Sequence, residues 1–158
     1  MSGNRNALKM SSKIYSRNQT DLDRIASDSI EKQFAEYISG KRERFDLKAL
    51  CIHSDLRELK GTELQKRVWS ELLKIPFGKT CTYSQLAQKV GKPRAVRAVA
   101  SAVAKNPLYI VIPCHRIIPK RDKKRVSTLS KTSVDIGNYA LGRDLKKILL
   151  NFEGAILN

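Results

Sequence analysis

The 158-residue chain is 41% hydrophobic and 29% charged, which fits one compact core or one small domain with an appendage. Its net charge of +16 is unusual for that size and points to a polyanionic partner, nucleic acid above all. Three cysteines are too few for a disulfide scaffold, no run of about 18 apolar residues exists to span a membrane, and residues 1–20 lack a secretory apolar core. An intracellular compartment is expected, where a free thiol survives.

The positive charge is uneven. Residues 1–60 carry 12 Lys/Arg against 9 Asp/Glu, and residues 61–158 carry 19 against 6. Residues 1–20 have no periodicity and are expected to be disordered. A helix is expected from Ser27 to Ile38, where Ile30, Phe34 and Tyr37 recur at helical spacing before Gly40. A charged linker with one short apolar element at Leu50–Ile52 leads to Gly61.

Thr62 with Gln65 reads as a capping box, and Leu64, Val68, Trp69, Leu72 and Leu73 form one apolar stripe behind it. Pro76-Phe77-Gly78 ends that helix. A short helix over Tyr83–Val90 stops at Gly91, and Pro93 suits the first turn of the next, Arg94–Lys105. Two helices joined so tightly form a helix-turn-helix candidate, the second facing DNA. Tyr109–Ile112 is wholly apolar and reads as a buried strand that delivers Pro113-Cys114-His115-Arg116. Residues 119–136 form a basic, Ser/Thr-rich loop. A last helix over Leu141–Phe152 is expected to turn Leu141, Leu145, Ile148, Leu149 and Phe152 inward, with Glu153-Gly154 closing it.

Cys114 is the candidate nucleophile. A thiol attacks carbon as thiolate, and an adjacent His115 with nearby Arg residues favours that form. Neighbours on a strand point to opposite faces, so a turn after Pro113 or a bridging water must connect the pair. An isolated Cys-His pair is more often a packed cysteine beside a surface histidine. Cys51 and Cys81 read as packing residues, and His53 as a loop residue.

The stretch Ile112-Pro113-Cys114-His115-Arg116-Ile117-Ile118 resembles the active-site signature of the O6-alkylguanine-DNA alkyltransferases, the methylated-DNA–protein-cysteine methyltransferases. Gly61-Thr62-Glu63-Leu64-Gln65 with Val68-Trp69, then Ile75-Pro76-Phe77-Gly78, then Thr82-Tyr83 with Leu86-Ala87 resemble the same family in the same order. So do Gly91-x-Pro93-x-Ala95-Val96-Arg97-Ala98-Val99, Asn106-Pro107, Gly137-Asn138-Tyr139 and Leu149-Leu150-x-x-Glu153-Gly154. The resemblance covers residues 61–158 and, more weakly, Ser27 to Leu47.

It implies a single displacement at the O6-alkyl carbon with Cys114 as acceptor, used once. His115 would draw off the thiol proton through a water, Glu153 would orient the imidazole, and Asn106 would hold the active-site turn. Tyr83 would donate toward N3 of the guanine, the Cys114 and Ile117 carbonyls would accept from its exocyclic amine, and the Ala140 N–H would face O6. Tyr139 joins them as a substrate contact. The target base must be flipped out of double-stranded DNA, and Arg97 would fill the vacated stack. Ala98, Ala100, Ser101 and Ala102 would let that helix approach the minor groove. Arg94, Thr82, Ser101 and Arg116 are the further DNA contacts expected.

The fold expected is mainly α, α+β overall. It consists of a winged-helix-like, helix-turn-helix domain over 61–158, with a reduced helical amino-terminal appendage over 1–60 in place of the family's sheet. No cofactor, metal ligand set or membrane is implied, and a monomer is expected, nuclear in a eukaryote and cytoplasmic otherwise. The long loop after Arg116, with Lys120, Arg121, Lys123, Lys124, Arg125 and Lys131, suits phosphate contacts or nuclear targeting. The alternative function is a non-catalytic lesion-binding sensor. Such relatives lack the acceptor cysteine, which is present here as Cys114.

Overall fold

Residues 21–47, 59–120 and 135–155 are described by a computed structural model, and contacts divide the chain after Glu58 into two units. The expectations for residues 1–20, for Leu50–Ile52 and for most of the basic loop lie outside the described residues. What is described is helix-rich with one two-stranded sheet.

The first unit is built on helix α1, Asp21–Ile38. It starts at Asp21 rather than at the expected Ser27. Gly40, at φ 72°, ends it. The chain folds back so that Phe45 meets Phe34 and Tyr37, with ring centroids 4.9 and 5.4 Å apart. Gln33 fixes that return by donating to the Asp46 carbonyl and accepting from the Asp46 N–H at 2.7 Å.

In the second unit helix α2, Glu63–Leu73, begins at the expected capping box: the Thr62 hydroxyl accepts from Gln65 N, and the Gln65 side chain accepts from Thr62 N. Its buried face is Val68, Trp69 and Leu72. The Trp69 indole donates to the Ala102 carbonyl at 3.0 Å and so pins the end of a neighbouring helix. Strand β1, Cys81–Thr82, pairs in parallel with β2, Ile117–Ile118, in the register Cys81 to Ile117. Helix α3, Tyr83–Lys89, starts from a second capping box, Thr82 with Gln85.

Gly91 at φ 71° turns the chain toward helix α4, Val96–Ala104. This helix begins two residues later than expected. Ala95 N bonds to the Lys92 carbonyl, so Pro93 and Arg94 lie in a turn ahead of the helix and not in its first turn. Val99, Ala102 and Val103 are buried against α2 and α3, while Arg97, Ala98 and Ser101 face outward.

The expected strand at Tyr109–Ile112 does not form. Val111 N bonds to the Tyr109 carbonyl and Ile112 N to the Leu108 carbonyl, with Ile110 at φ 71°. The cause is Asn106, whose side chain accepts from Leu108 N at 3.0 Å and donates to the Ile112 carbonyl at 2.7 Å. A chain tied at both points must turn, and β1 takes Ile117–Ile118 as its partner instead.

Helix α5, Arg143–Phe152, also departs from expectation. Its buried residues are Lys146, Leu149 and Leu150, followed by Glu153 at its end, whereas Ile148 is 62% and Phe152 40% exposed. The inward face carries a lysine and a glutamate seven residues apart beside Leu149 and Leu150, so Leu149 is inward as expected while Ile148 and Phe152 are not. Leu141 precedes the helix.

Candidate active site

Cys114 opens a 3-10 turn, Cys114–Arg116, directly after the Asn106-tethered loop. The turn separates three consecutive side chains, all buried, sending the first to Asn106 and the other two to Glu153. The thiol Sγ accepts from the Asn106 amide at 2.9 Å. The His115 Nε2 lies 2.8 Å from Glu153 Oε1. The Arg116 guanidinium grips the same carboxylate, Nε to Oε2 at 2.8 Å and Nη2 to Oε1 at 2.9 Å, and donates through Nη1 to the Ile75 carbonyl at 2.6 Å.

Four donors thus converge on Glu153, because Gly78 N also reaches Oε2 at 3.3 Å. Two of them come from a guanidinium, so the carboxylate acts as acceptor throughout. That assigns the His115 proton to Nε2 and leaves a lone pair on Nδ1. Nδ1 is buried and has no hydrogen-bond partner among the described residues. The Tyr139 ring stands 6.3 Å from the imidazole and also 6.3 Å from Tyr109, an aromatic wall beside the Cys114 turn.

Lys146, which sequence reasoning missed, enters from α5. It is 1% exposed, and its Nζ donates to the Ile117 carbonyl at 2.6 Å and to the Asn138 carbonyl at 3.3 Å. Burial pushes its pKa down to about 8, against the pull of the Cys114 charge. Burial likewise pushes the Cys114 thiol up, opposed by the Asn106 amide and the Lys146 charge. The sequence suggests neighbours that favour the thiolate, with His115 taking the proton through a turn or a water. Desolvation is the largest influence on the thiol, so it holds its proton at rest, as a proton transfer to His115 requires. Burial also holds His115 below its ordinary value, with Glu153 opposing and Arg116 and Lys146 reinforcing the shift. A neutral imidazole beside a protonated thiol is a base ready to accept a proton.

Of the residues expected to contact substrate, Tyr83, Ile117 and Tyr139 lie near Cys114, Lys146 and His115 respectively. Tyr83, the first residue of α3, is half-buried, and its phenol is raised by burial and then by the charge of Cys114. Ile117 is buried on β2, and its carbonyl already accepts from Lys146, leaving one lone pair for another donor. Ala140 is exposed in the turn before α5.

The expected DNA contacts divide. Arg97 and Ser101 lie four residues apart on the outward face of α4, with exposed Arg94 just before it. Thr82 is occupied as the cap of α3. Arg116 is misassigned by the sequence reading. It is 4% exposed and locked to Glu153 and Ile75, so its guanidinium is not available to a phosphate.

Among the described residues no group of His, Cys, Asp and Glu stands close enough together to hold a metal ion, and no helix is long and apolar enough to cross a membrane.

A family model described as 6-O-methylguanine DNA methyltransferase, DNA binding domain, matches residues 63–155. The methylated-DNA–protein-cysteine methyltransferase of Methanosarcina barkeri is 42% identical over 122 residues, which are 77% of this chain and 65% of that protein. The protein of the same name from Mycobacterium tuberculosis is 33% identical over 148 residues, 92% of this chain and 78% of that one. The crystal structure of Mycobacterium tuberculosis OGT in complex with DNA is similar with a TM-score of 0.61 at 33% identity, over 79% of this chain and 64% of that chain. The chain therefore spans just under two thirds of the length of the Methanosarcina protein and of the DNA-bound chain. With the family model covering more than half of its residues, the chain belongs to the methylated-DNA–protein-cysteine methyltransferase family.

Proposed function

We propose that this chain repairs DNA by moving the alkyl group of O6-alkylguanine irreversibly onto Cys114, once per molecule. The observation that carries the reading is the Cys114 thiol, buried and held by the Asn106 amide, in one turn with a neutral His115 backed by Glu153. In the displacement, Sγ forms a bond to the alkyl carbon as the bond from that carbon to O6 breaks. The electron pair leaves on the purine, and the thiol proton passes to His115 Nδ1 through a water. Tyr83 donates toward N3 of the departing guanine, the Ile117 carbonyl and the Ala140 N–H meet its other edge, and Tyr139 walls the site.

The substrate is double-stranded DNA with the damaged base flipped out, since a base inside the duplex cannot reach a buried thiol. Helices α3 and α4 act as a helix-turn-helix within a winged-helix-like domain. The outward face of α4, with Ala98, Ser101 and Arg97, is small and basic, and exposed Arg94 stands in the turn before it, which suits close approach to a groove and contacts to shape and phosphate. Arg97 fills the vacated stack. The protein acts as a monomer where the genome is, in a nucleus or a prokaryotic cytoplasm. A non-catalytic lesion sensor has no use for the thiol or for its tether to Asn106.

The test is the intact mass of the protein after mixing with duplex DNA carrying one O6-methylguanine. One added methyl per chain is expected, located on Cys114, with no second turnover and no gain in Cys114→Ala. Tight lesion binding without a mass change would establish the sensor instead.

A further inference from the structure

We propose that Arg116 is a positioning residue for this reaction, its guanidinium fork fixing the Glu153 carboxylate so that His115 carries its proton on Nε2 and turns an Nδ1 lone pair into the site. The inference rests on the reading of Cys114 as alkyl acceptor and adds a residue to it.

The geometry is that of a clamp. Glu153 is the residue that caps α5, so its backbone stands at a helix end. Its carboxylate plane is set by two parallel bonds from Arg116, Nε to Oε2 at 2.8 Å and Nη2 to Oε1 at 2.9 Å. Arg116 is itself anchored on its far side, Nη1 to the Ile75 carbonyl at 2.6 Å, with its charge 5.8 Å from the Phe77 ring centre. A guanidinium supplies these donors in one rigid plane, which an ammonium cannot do. The oxygen facing His115, Oε1, is shared between the fork and the imidazole, so the fork dictates where the ring must point its N–H.

Charge acts in the same direction. The groups facing the imidazole are Arg116 from its own turn, Glu153 and Lys146 from α5, and the Tyr139 ring. A buried carboxylate facing only the imidazole draws a proton onto it. With Arg116 in place the carboxylate is already matched by a cation, and the ring is left neutral. A neutral ring with Nε2 protonated takes the Sγ proton at Nδ1. No proton moves to Glu153, and the sulfur electron pair goes to the alkyl carbon.

The experiment compares Arg116→Met and Arg116→Lys with the wild type in the full chain. Methyl uptake from O6-methylguanine duplex is followed by mass against pH, and the ring nitrogens of His115 by NMR, His53 being the only other histidine. In Arg116→Met, His115 is expected to take up a proton at higher pH than in wild type. The acid limb of the uptake profile should rise with it, and uptake at neutral pH should fall by about 100-fold.

In Arg116→Lys the charge stays, so the His115 protonation midpoint should remain near that of wild type. The tautomer protonated on Nδ1 should now appear, and uptake should fall by about tenfold. If Arg116→Met does not fold, the lysine variant decides. Wild-type uptake and tautomer in Arg116→Lys, or an unmoved His115 midpoint in a folded Arg116→Met, would overturn the proposal. A wild type that takes up no methyl while the NMR shifts occur defeats the alkyl-transfer reading and leaves the coupling of Arg116 to His115 standing.

Discussion

Asn106 holds the Cys114 sulfur at 2.9 Å with the same amide nitrogen that holds the Ile112 carbonyl at 2.7 Å. Its oxygen accepts from Leu108 N at 3.0 Å, so one side chain ties the loop at two points and touches the nucleophile as well. The bond to sulfur lowers the thiol against the effect of burial. Asn106→Ala removes that bond, leaves the Leu108 N–H without its acceptor and leaves the Ile112 carbonyl with only the Cys114 N–H. A stability loss of about 2 kcal/mol is expected, with a thiol that ionises at higher pH and a methyl uptake that slows at neutral pH. Thiolate absorbance against pH and the uptake rate check this together. An unshifted thiol titration in the variant would mean that Asn106 acts on the loop alone.

Lys146 gives a second prediction, in stability against pH. Its pKa falls from 10.5 in the unfolded chain to about 8 on folding. Between those two values the unfolded chain holds a proton that the folded chain has released, so stability rises with pH there. From about pH 7.5 to about pH 9.5 this group alone adds about 2 kcal/mol. Cys114, Cys81 and Tyr83 are raised by folding and act in the opposite sense as the solution becomes alkaline. The quantity to measure is therefore the difference between wild type and Lys146→Met in urea unfolding at the two ends of that range. Equal pH slopes in the two proteins would show that Lys146 folds with its proton retained.

Much of this site is legible in the sequence, and the exceptions have physical causes. Both Thr-to-Gln capping boxes, the stop at Gly91 and the isolation of Cys114-His115 after a proline follow from local chemistry. Tyr109–Ile112 does not, because an apolar run looks the same as a buried strand or as a buried turn. The choice is made by the hydrogen bonds of Asn106, a residue outside the run. The face of α5 misleads for a related reason. Lys146, Leu149, Leu150 and Glu153 stand at helical spacing, yet reading charged residues as outward rotates the helix toward Ile148 and Phe152. Arg116 fails likewise. An arginine in a basic chain reads as a phosphate ligand until the buried carboxylate that needs it is found 37 positions away.

Arg97 separates DNA handling from chemistry. It is exposed on α4, and no described hydrogen bond or ion pair holds it. If it fills the gap left by an extruded base, Arg97→Ala should slow methyl uptake from duplex DNA by about tenfold or more, since unstacking costs a few kcal/mol. Uptake from the free base O6-methylguanine should suffer much less, because nothing there needs to be extruded. The ratio of the two rates is the measurement. Equal losses on both substrates would remove Arg97 from base extrusion and make it a residue that shapes the pocket.

Gly78 makes the site sensitive to a single methyl group far from Cys114 in sequence. It sits at φ 70°, and a Cβ there would lie 2.7 Å from the Glu153 carbonyl oxygen. Its N–H also donates to Glu153 Oε2 at 3.3 Å. In Gly78→Ala the left-handed backbone costs about 1 kcal/mol and the overlap must be relieved by moving Glu153, so a total of about 3 kcal/mol is expected. Glu153 cannot move without releasing His115 and Arg116, and methyl uptake should therefore fall even at temperatures where the variant is folded. Gly154→Ala is the matched control, since Gly154 has φ 67° and nothing within 4 Å of its added Cβ. It should show the backbone cost without the loss of rate. If the two variants unfold and react alike, the contact between Gly78 and Glu153 has no part in holding the base in place.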